Sequence, residues 1–265
     1  MTTILEGIWG FSPADIWVVN DLAIHREGQN WKLYDVRLIP GFDSLSLDYC
    51  WGTNSTNMYF AGRNGSMAHF DGTSWEKMEL GTRRTITDVC GSPDGSMIWA
   101  LVTNPNQPYN LLFGMERTTN VWRLAYDGTV LQYRISFDSL SGGMNGIYAP
   151  DPQTVFVCSS AGLYRVTDRG STLPRAERMS FTTDWFPGYP WKLRGNSATD
   201  MFIVGERAFV AHYNGRSVRF YDDLYNPNLY LYSVSCKGDL VMAVGEDYDP
   251  IDSKGLVIWG RRLPK

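Results

Sequence analysis

The chain has 265 residues, a formal net charge of −4 and a pI near 5.4. It carries no basic stripe, which argues against a nucleic-acid partner, and no apolar run of the about 18 residues that a membrane span requires. Its 10 Trp, 15 Tyr and 12 Phe, set among 26 Gly and 13 Pro, suit an all-β chain with many turns.

The first residues, MTTILEGIWG, lack a basic leader and a long apolar stretch, so they do not read as a signal peptide. The expected location is cytoplasmic if residues 1–265 are the whole natural chain. It is extracellular or periplasmic if a leading segment or domain is removed.

One pattern then recurs along the chain. It opens at Trp9-Gly10, runs through Asp15-Ile16-Trp17-Val18-Val19, and continues with His25 and Trp31. Its clearest copy is residues 51–75, WGTNSTNMYFAGRNGSMAHFDGTSW. There Trp51-Gly52 ends a strand, residues 53–57 turn, and residues 58–62 form a second strand. Arg63-Asn64-Gly65 turns tightly into residues 66–70, and Asp71-Gly72 marks the hairpin into a fourth strand at residues 74–78. A third copy starts at Asp88-Val89-Cys90 and resumes at Val121-Trp122. A degenerate fourth starts at Gly146-Ile147-Tyr148, a clear fifth at Leu193-Arg194-Gly195, and a sixth at Tyr232-Ser233-Val234.

Equating positions 9, 51, 90, 148, 194 and 235 gives steps of 42, 39, 58, 46 and 41 residues. Such a period fits a four-stranded blade. The expected fold is therefore all-β, a single six-bladed β-propeller of four-stranded antiparallel blades filling residues 1–265. The blades fall at about 1–36, 44–80, 84–136, 142–180, 190–222 and 229–265. The last blade has material for three strands only, so it is expected to lack its outer strand. That leaves an edge available for a partner contact.

The three histidines, His25, His69 and His212, share one repeat position, which makes them scaffold rather than a metal set. The four cysteines, Cys50, Cys90, Cys158 and Cys236, form no C-x-x-C pair and read as free thiols acting as small hydrophobes. That usage favours a reducing compartment, or a secreted scaffold that needs no disulfide staples. Asp247, Asp249 and Asp252 space three carboxylates in one loop, but the Pro250 within it and the missing central Gly speak against calcium. Thr167–Thr172 matches only the D-x-G-x-T core of a structural Asp-box turn. No nucleophile elbow, phosphate loop or metal-ligand spacing is present.

Short turns fall on one face of the expected blades, and long segments on the other: residues 103–120, 167–190, 221–229 and 246–254. Loops on a rigid scaffold are where function concentrates. The expected ligand site lies there, on Tyr109, Trp185, Phe186, Tyr189, Trp191, Asp222, Tyr225, Tyr248 and Asp249. Aromatic platforms with carboxylates suit a protein segment or a glycan. The expected role is a non-catalytic binding module. The alternative is a glycosidase- or lyase-type enzyme using Asp222, Asp247 or Asp249, which requires two carboxylates facing each other in a pocket.

The motif W-G-[TS]-[NS]-S-x-[ND]-[MI]-[YWF]-x-[VA]-G, followed by H-[FY]-[DN]-G-x-S-W, is best seen at residues 51–75 and partly at 9–31 and 194–217. It resembles the propeller repeats of uncharacterised bacterial proteins, often secreted or lipid-anchored and sometimes assigned by analogy to the glycosyl hydrolases. The ending Val257-Ile258-Trp259-Gly260-Arg261-Arg262 is similar to the terminus of such chains. The resemblance implies the fold and leaves the activity open.

Overall fold

A computed structural model describes residues 6–104, 107–127, 144–159, 162–167, 175–179 and 188–261. These residues form six antiparallel sheets, each a meander in chain order. Sheet one is β1 (Gly7–Ser12), β2 (Asp15–Asn20), β3 (Leu22–Glu27) and β4 (Asn30–Tyr34). Sheet two is β5 (Tyr49–Asn54), β6 (Asn57–Ala61), β7 (Met67–Phe70) and β8 (Trp75–Lys77). Sheet three is β9 (Thr85–Gly91), β10 (Met97–Asn104), β11 (Gln107–Glu116) and β12 (Val121–Asp127). Sheet four is β13 (Met144–Asp151), β14 (Thr154–Ser159), β15 (Gly162–Thr167) and β16 (Arg175–Met179). Sheet five is β17 (Pro190–Ser197), β18 (Asp200–Gly205), β19 (Val210–Tyr213) and β20 (Val218–Phe220). Sheet six has three strands among the described residues, β21 (Leu229–Lys237), β22 (Leu240–Asp247) and β23 (Lys254–Arg261). The fold class is the six-bladed β-propeller, with three strands in its last blade among the described residues. Contacts group the chain into two compact units, residues 1–132 with 151–153, and residues 133–150 with 154–265.

The recurring motif has a local physical cause. After the first-strand Gly the ladder slips between Gly10 and Ser12, between Gly52 and Asn54, and between Gly195 and Ser197. The side chain past each bulge then holds the turn. Ser12 Oγ accepts from Ala14 N at 3.2 Å, Asn54 Oδ1 from Thr56 N at 2.9 Å, and Ser197 Oγ from Thr199 N at 3.3 Å. These are side-chain-capped turns, which explains why Ser and Asn occupy this place. The residue that starts the second strand meets the third-strand histidine. His25 Nε2 lies 2.8 Å from Asp15 Oδ1, His69 Nε2 2.8 Å from Asn57 Oδ1, and His212 Nε2 2.8 Å from Asp200 Oδ1. Each imidazole also packs against the aromatic two residues past that acceptor, Trp17, Tyr59 and Phe202. The histidines are scaffold, as their repeat position implied.

The hairpin glycines complete the pattern. Gly72 and Gly215 have φ of +97° and +89°, and an added Cβ would meet Thr56 and Thr199 at 2.7 and 2.6 Å. Asp71 accepts from the amides and hydroxyls of Thr73 and Ser74, which holds its carboxyl well below the usual range. Asn214 Oδ1 likewise accepts from the amides of Arg216 and Ser217, at 3.0 and 2.9 Å.

In the first unit, the sheet-one face carrying Trp17, Val19 and Tyr34 packs on the sheet-two face carrying Met58, Phe60, Phe70 and Trp75. Trp75, from the outermost strand β8, seals this interface. Its indole centroid lies 4.9 Å from Phe60, 4.9 Å from Phe70, 5.7 Å from Tyr34 and 6.4 Å from Trp17. Residues 103–120 correct the sequence reading. They are not a long loop, because β10 and β11 pair from Met97↔Glu116 to Asn104↔Gln107. Asn104, Pro105, Asn106 and Pro108 read as loop punctuation, yet Leu111, Leu112 and Phe113 pair with Val102, Leu101 and Ala100 and carry the ladder almost to the turn. All four cysteines are free thiols; Cys50, Cys90 and Cys158 are buried and Cys236 is half-buried.

One pH effect arises from this scaffold. His69 is 3% exposed, and its acceptor is an amide rather than a carboxylate. Burial, and then the Arg117 charge, lower its pKa to about 4. The unfolded state therefore binds a proton near pH 6.5 that the folded state refuses until about pH 4. Stability present above pH 6.5 falls as the pH drops, by about 2 kcal/mol between pH 7 and pH 5. Urea titrations of the native chain and of His69→Gln check this. The variant is expected to lose that part of the slope, and equal slopes would rule the assignment out.

Candidate functional site

In the second unit, the start of β17, the start of β21 and the end of β22 meet at one end of sheets five and six. Trp191 is the second residue of β17, and Tyr230 and Tyr232 lie near the start of β21. The Trp191 ring stacks on Tyr232 at 5.0 Å and 10°, and on Tyr230 at 5.8 Å and 24°. Tyr248, just past β22, meets Tyr230 edge-on at 6.1 Å. It is held there by its amide, which donates to Asn228 O at 2.8 Å. Tyr232 Oη hydrogen-bonds Glu246 Oε1. Burial, and then the Glu246 carboxylate, push the Tyr232 phenol above its ordinary value, so it stays a neutral donor.

Tyr189, Tyr225 and Tyr248 are 38%, 49% and 49% exposed. Tyr189 enters β17 and its carbonyl accepts from Glu206 N at 2.9 Å. Tyr225 follows a 3-10 turn at Asp222–Leu224, and its amide donates to Asp222 O at 3.1 Å. A small recess beside it is lined by Phe209, Tyr221, Asp222 and Tyr225.

The structure thus gathers Trp191 and Tyr248 from the sequence-predicted set into one cluster. It places Tyr189, Asp222 and Tyr225 on the loops entering sheets five and six. Trp185 and Phe186 lie outside the described residues. Tyr109 lies in strand β11 and not on a loop, and its side chain is outside the described set. Asp249 turns its carboxylate on its own loop, accepting from Ile251 N at 2.8 Å and Asp252 N at 3.0 Å, which lowers its pKa. Asp252 pairs with Lys254 at 3.6 Å. Among the described residues no group of three or more His, Cys, Asp or Glu is arranged to hold a metal ion, and this includes Asp247, Asp249 and Asp252.

The sequence reading missed two features. Tyr232 and Glu246 belong to the cluster although they sit in strands. Their signal was the Tyr230-Leu231-Tyr232 alternation, which puts both rings on one face. The other feature is a charge cluster in the first unit. Arg63, in the β6–β7 turn, donates to Asp21 Oδ1 at 2.6 Å and to Asp48 Oδ2 at 3.2 Å. Burial, and then the Asp48 charge, raise the pKa of nearby Glu6. Burial, followed by the Glu6 carboxylate, likewise raises that of Tyr49.

No protein-family model matches the chain, and no curated protein matches it in sequence. Solved structures match it as a fold. Streptogramin B lyase superposes with a TM-score of 0.67 at 9% identity, over 99% of this chain and 84% of that one. YCF48 bound to the D1 peptide gives 0.58 at 12%, over 92% and 76%. A chain of the nidogen/laminin complex gives 0.57 at 8%, over 84% and 82%. At such identities the likeness places the chain among the β-propellers and goes no further. No helix among the described residues is long and apolar enough to cross a membrane.

Proposed function

We propose that this β-propeller is a non-catalytic binding module that holds a polypeptide segment on the aromatic end of sheets five and six. The observation that carries the reading is the packed stack of Trp191, Tyr230 and Tyr232, with Tyr248 set edge-on and half-exposed beside it. Rigid aromatics with one wet edge bind at low entropic cost. Their own packing fixes them before a ligand arrives. One fold neighbour is recorded with a bound peptide, which is consistent with this use of the architecture.

The expected partner on these rings is an extended segment with apolar or proline side chains. A glycan stacking on the same rings is the other outcome to distinguish. Parallel peptide and glycan arrays, followed by titration of the best ligand, test the reading. Tyr248→Ala removes an exposed ring that is not part of a buried core, so the variant keeps its fold. It is expected to weaken peptide binding by at least about tenfold. Binding that survives Tyr248→Ala and Trp191→Phe unchanged places the ligand elsewhere. A hit confined to the glycan array replaces the peptide with a sugar.

A further inference from the structure

Sheets five and six repeat the interface between sheets one and two, with one part missing. The correspondence is residue by residue. Phe202, His212 and Tyr221 stand where Trp17, His25 and Tyr34 stand in sheet one. Tyr34 closes on Ala23 across β3–β4, and Tyr221 N donates to Val210 O in the same manner. Even the cation over the ring is kept, Lys32 over Tyr34 at 4.5 Å and Arg219 over Tyr221 at 5.1 Å.

The facing wall is different. In sheet two it is built from Phe60, Phe70 and the fourth-strand Trp75. Phe60 pairs with Ala68, and Met58 with Phe70. In sheet six the corresponding pairs are Ala243 with Ile258 and Val241 with Gly260. Two phenyl rings have thus become a methyl and a hydrogen, and among the described residues no strand follows β23 in its sheet. The result is a groove of about 700 Å³ between the two sheets. Phe202, His212 and Tyr221 line one side, and Val241, Ala243 and Ile258 the other.

We propose that this groove is a docking site for an extended segment of another polypeptide, which adds to β23 as a fourth strand and inserts one indole between Tyr221 and Gly260. The molecule itself supplies the template. In sheet two, Trp75 pairs with Phe70 and Lys77 with Ala68, so an incoming strand in the same register sets its Trp opposite Gly260 and its third residue opposite Ile258. The edge supplies backbone hydrogen bonds, and the groove supplies the side-chain selectivity. The groove shares Tyr221 with the recess beside Tyr225 but uses none of Trp191, Tyr230, Tyr232 and Tyr248, so either site can fail without the other.

A labelled synthetic peptide copying residues 72–80, GTSWEKMEL, is the probe. Its fluorescence anisotropy is expected to saturate on the full chain, and the same peptide with alanine for tryptophan is expected to bind at least about tenfold more weakly. Gly260→Trp fills the seat from inside. A Cβ there meets nothing within 4 Å, so the backbone accepts a side chain at this position; the variant, with its fold checked by circular dichroism, is expected to lose the peptide. Tyr221→Ala, on the opposite wall, is expected to weaken binding at least about fivefold. Three results overturn the proposal. The peptide fails to bind the native chain, the alanine peptide binds equally well, or Gly260→Trp binds as the native chain does. Light scattering covers the remaining occupant: a dimer that becomes a monomer in Gly260→Trp assigns the groove to a second copy instead.

Discussion

Trp17→Ala is expected to lower the free energy of unfolding by about 4 kcal/mol, read as a lower denaturant midpoint at unchanged slope. Trp17 is 0% exposed and lies at the centre of the interface between sheets one and two. Its ring stacks on His25 at 4.2 Å and 5°, and meets Phe60 at 5.2 Å and Phe70 at 5.4 Å edge-on. Truncation removes contacts to both sheets at once, and the strands that flank the site are paired along their length and cannot collapse into the void. The indole N–H meets no hydrogen-bond partner among the described residues. Trp17→Phe therefore discards an unsatisfied donor along with part of the ring, and is expected to cost under about 1.5 kcal/mol. An alanine variant within about 1 kcal/mol of the native chain would show that this interface is not a principal core.

Arg63→Met is expected to cost about 3 kcal/mol, by a different route. The Asp48 side chain is 2% exposed, and Arg63 is the cation that reaches it in the described structure. Removing that cation leaves a buried carboxylate with the Ser46 hydroxyl, at 3.3 Å, beside it. Stranding one member of a buried pair costs about 3–5 kcal/mol. The lower end applies because Arg63 itself is half-exposed. The raised pKa of Glu6 has Asp48 as its second cause and Arg63 as its opposing one, so the variant is expected to raise it further. A double-mutant cycle with Asp48→Asn separates the two effects. The pair Arg63→Met with Asp48→Asn should be more stable than Arg63→Met alone by at least about 1 kcal/mol. If the two substitutions simply add, the charge pair contributes nothing specific.

The parts of this fold that were readable in the sequence are those whose causes are local. The Gly bulge, the Ser or Asn that caps the next turn, and the Asp/Asn–His pair all lie within about a dozen residues and recur in sheets one, two and five. Counting strands was enough to expect a three-stranded last sheet. Residues 103–120 were misread because Pro and Asn there read as loop signals, whereas the pairing of β10 with β11 is carried by Leu111–Phe113 against Ala100–Val102. In the candidate site, Trp191 and Tyr248 were legible as aromatics near connections. Tyr232 and Glu246 were not, because their place depends on the register of β21 against β22. The Arg63 cluster was hidden for a similar reason. Asp21 reaches it from a turn at φ +53°, and no pattern of charges along the chain marks that turn.

The bonds that tie neighbouring sheets bear on how the chain reaches this structure. Trp9 Nε1 donates to Gly52 O, 43 positions on, and Arg194 Nη1 to Ile147 O, 47 positions back. Asn196 and Gly238 exchange two bonds across 42 positions, next to the Cys236 thiol on Arg194 O. Each tie therefore closes a loop of one repeat. The entropy of closure grows only with the logarithm of length, about 0.6 kcal/mol per doubling. A long β chain built this way never faces the search that distant strand pairing imposes. Each unit can assemble by adding sheets one at a time, each new sheet templated by the one already formed.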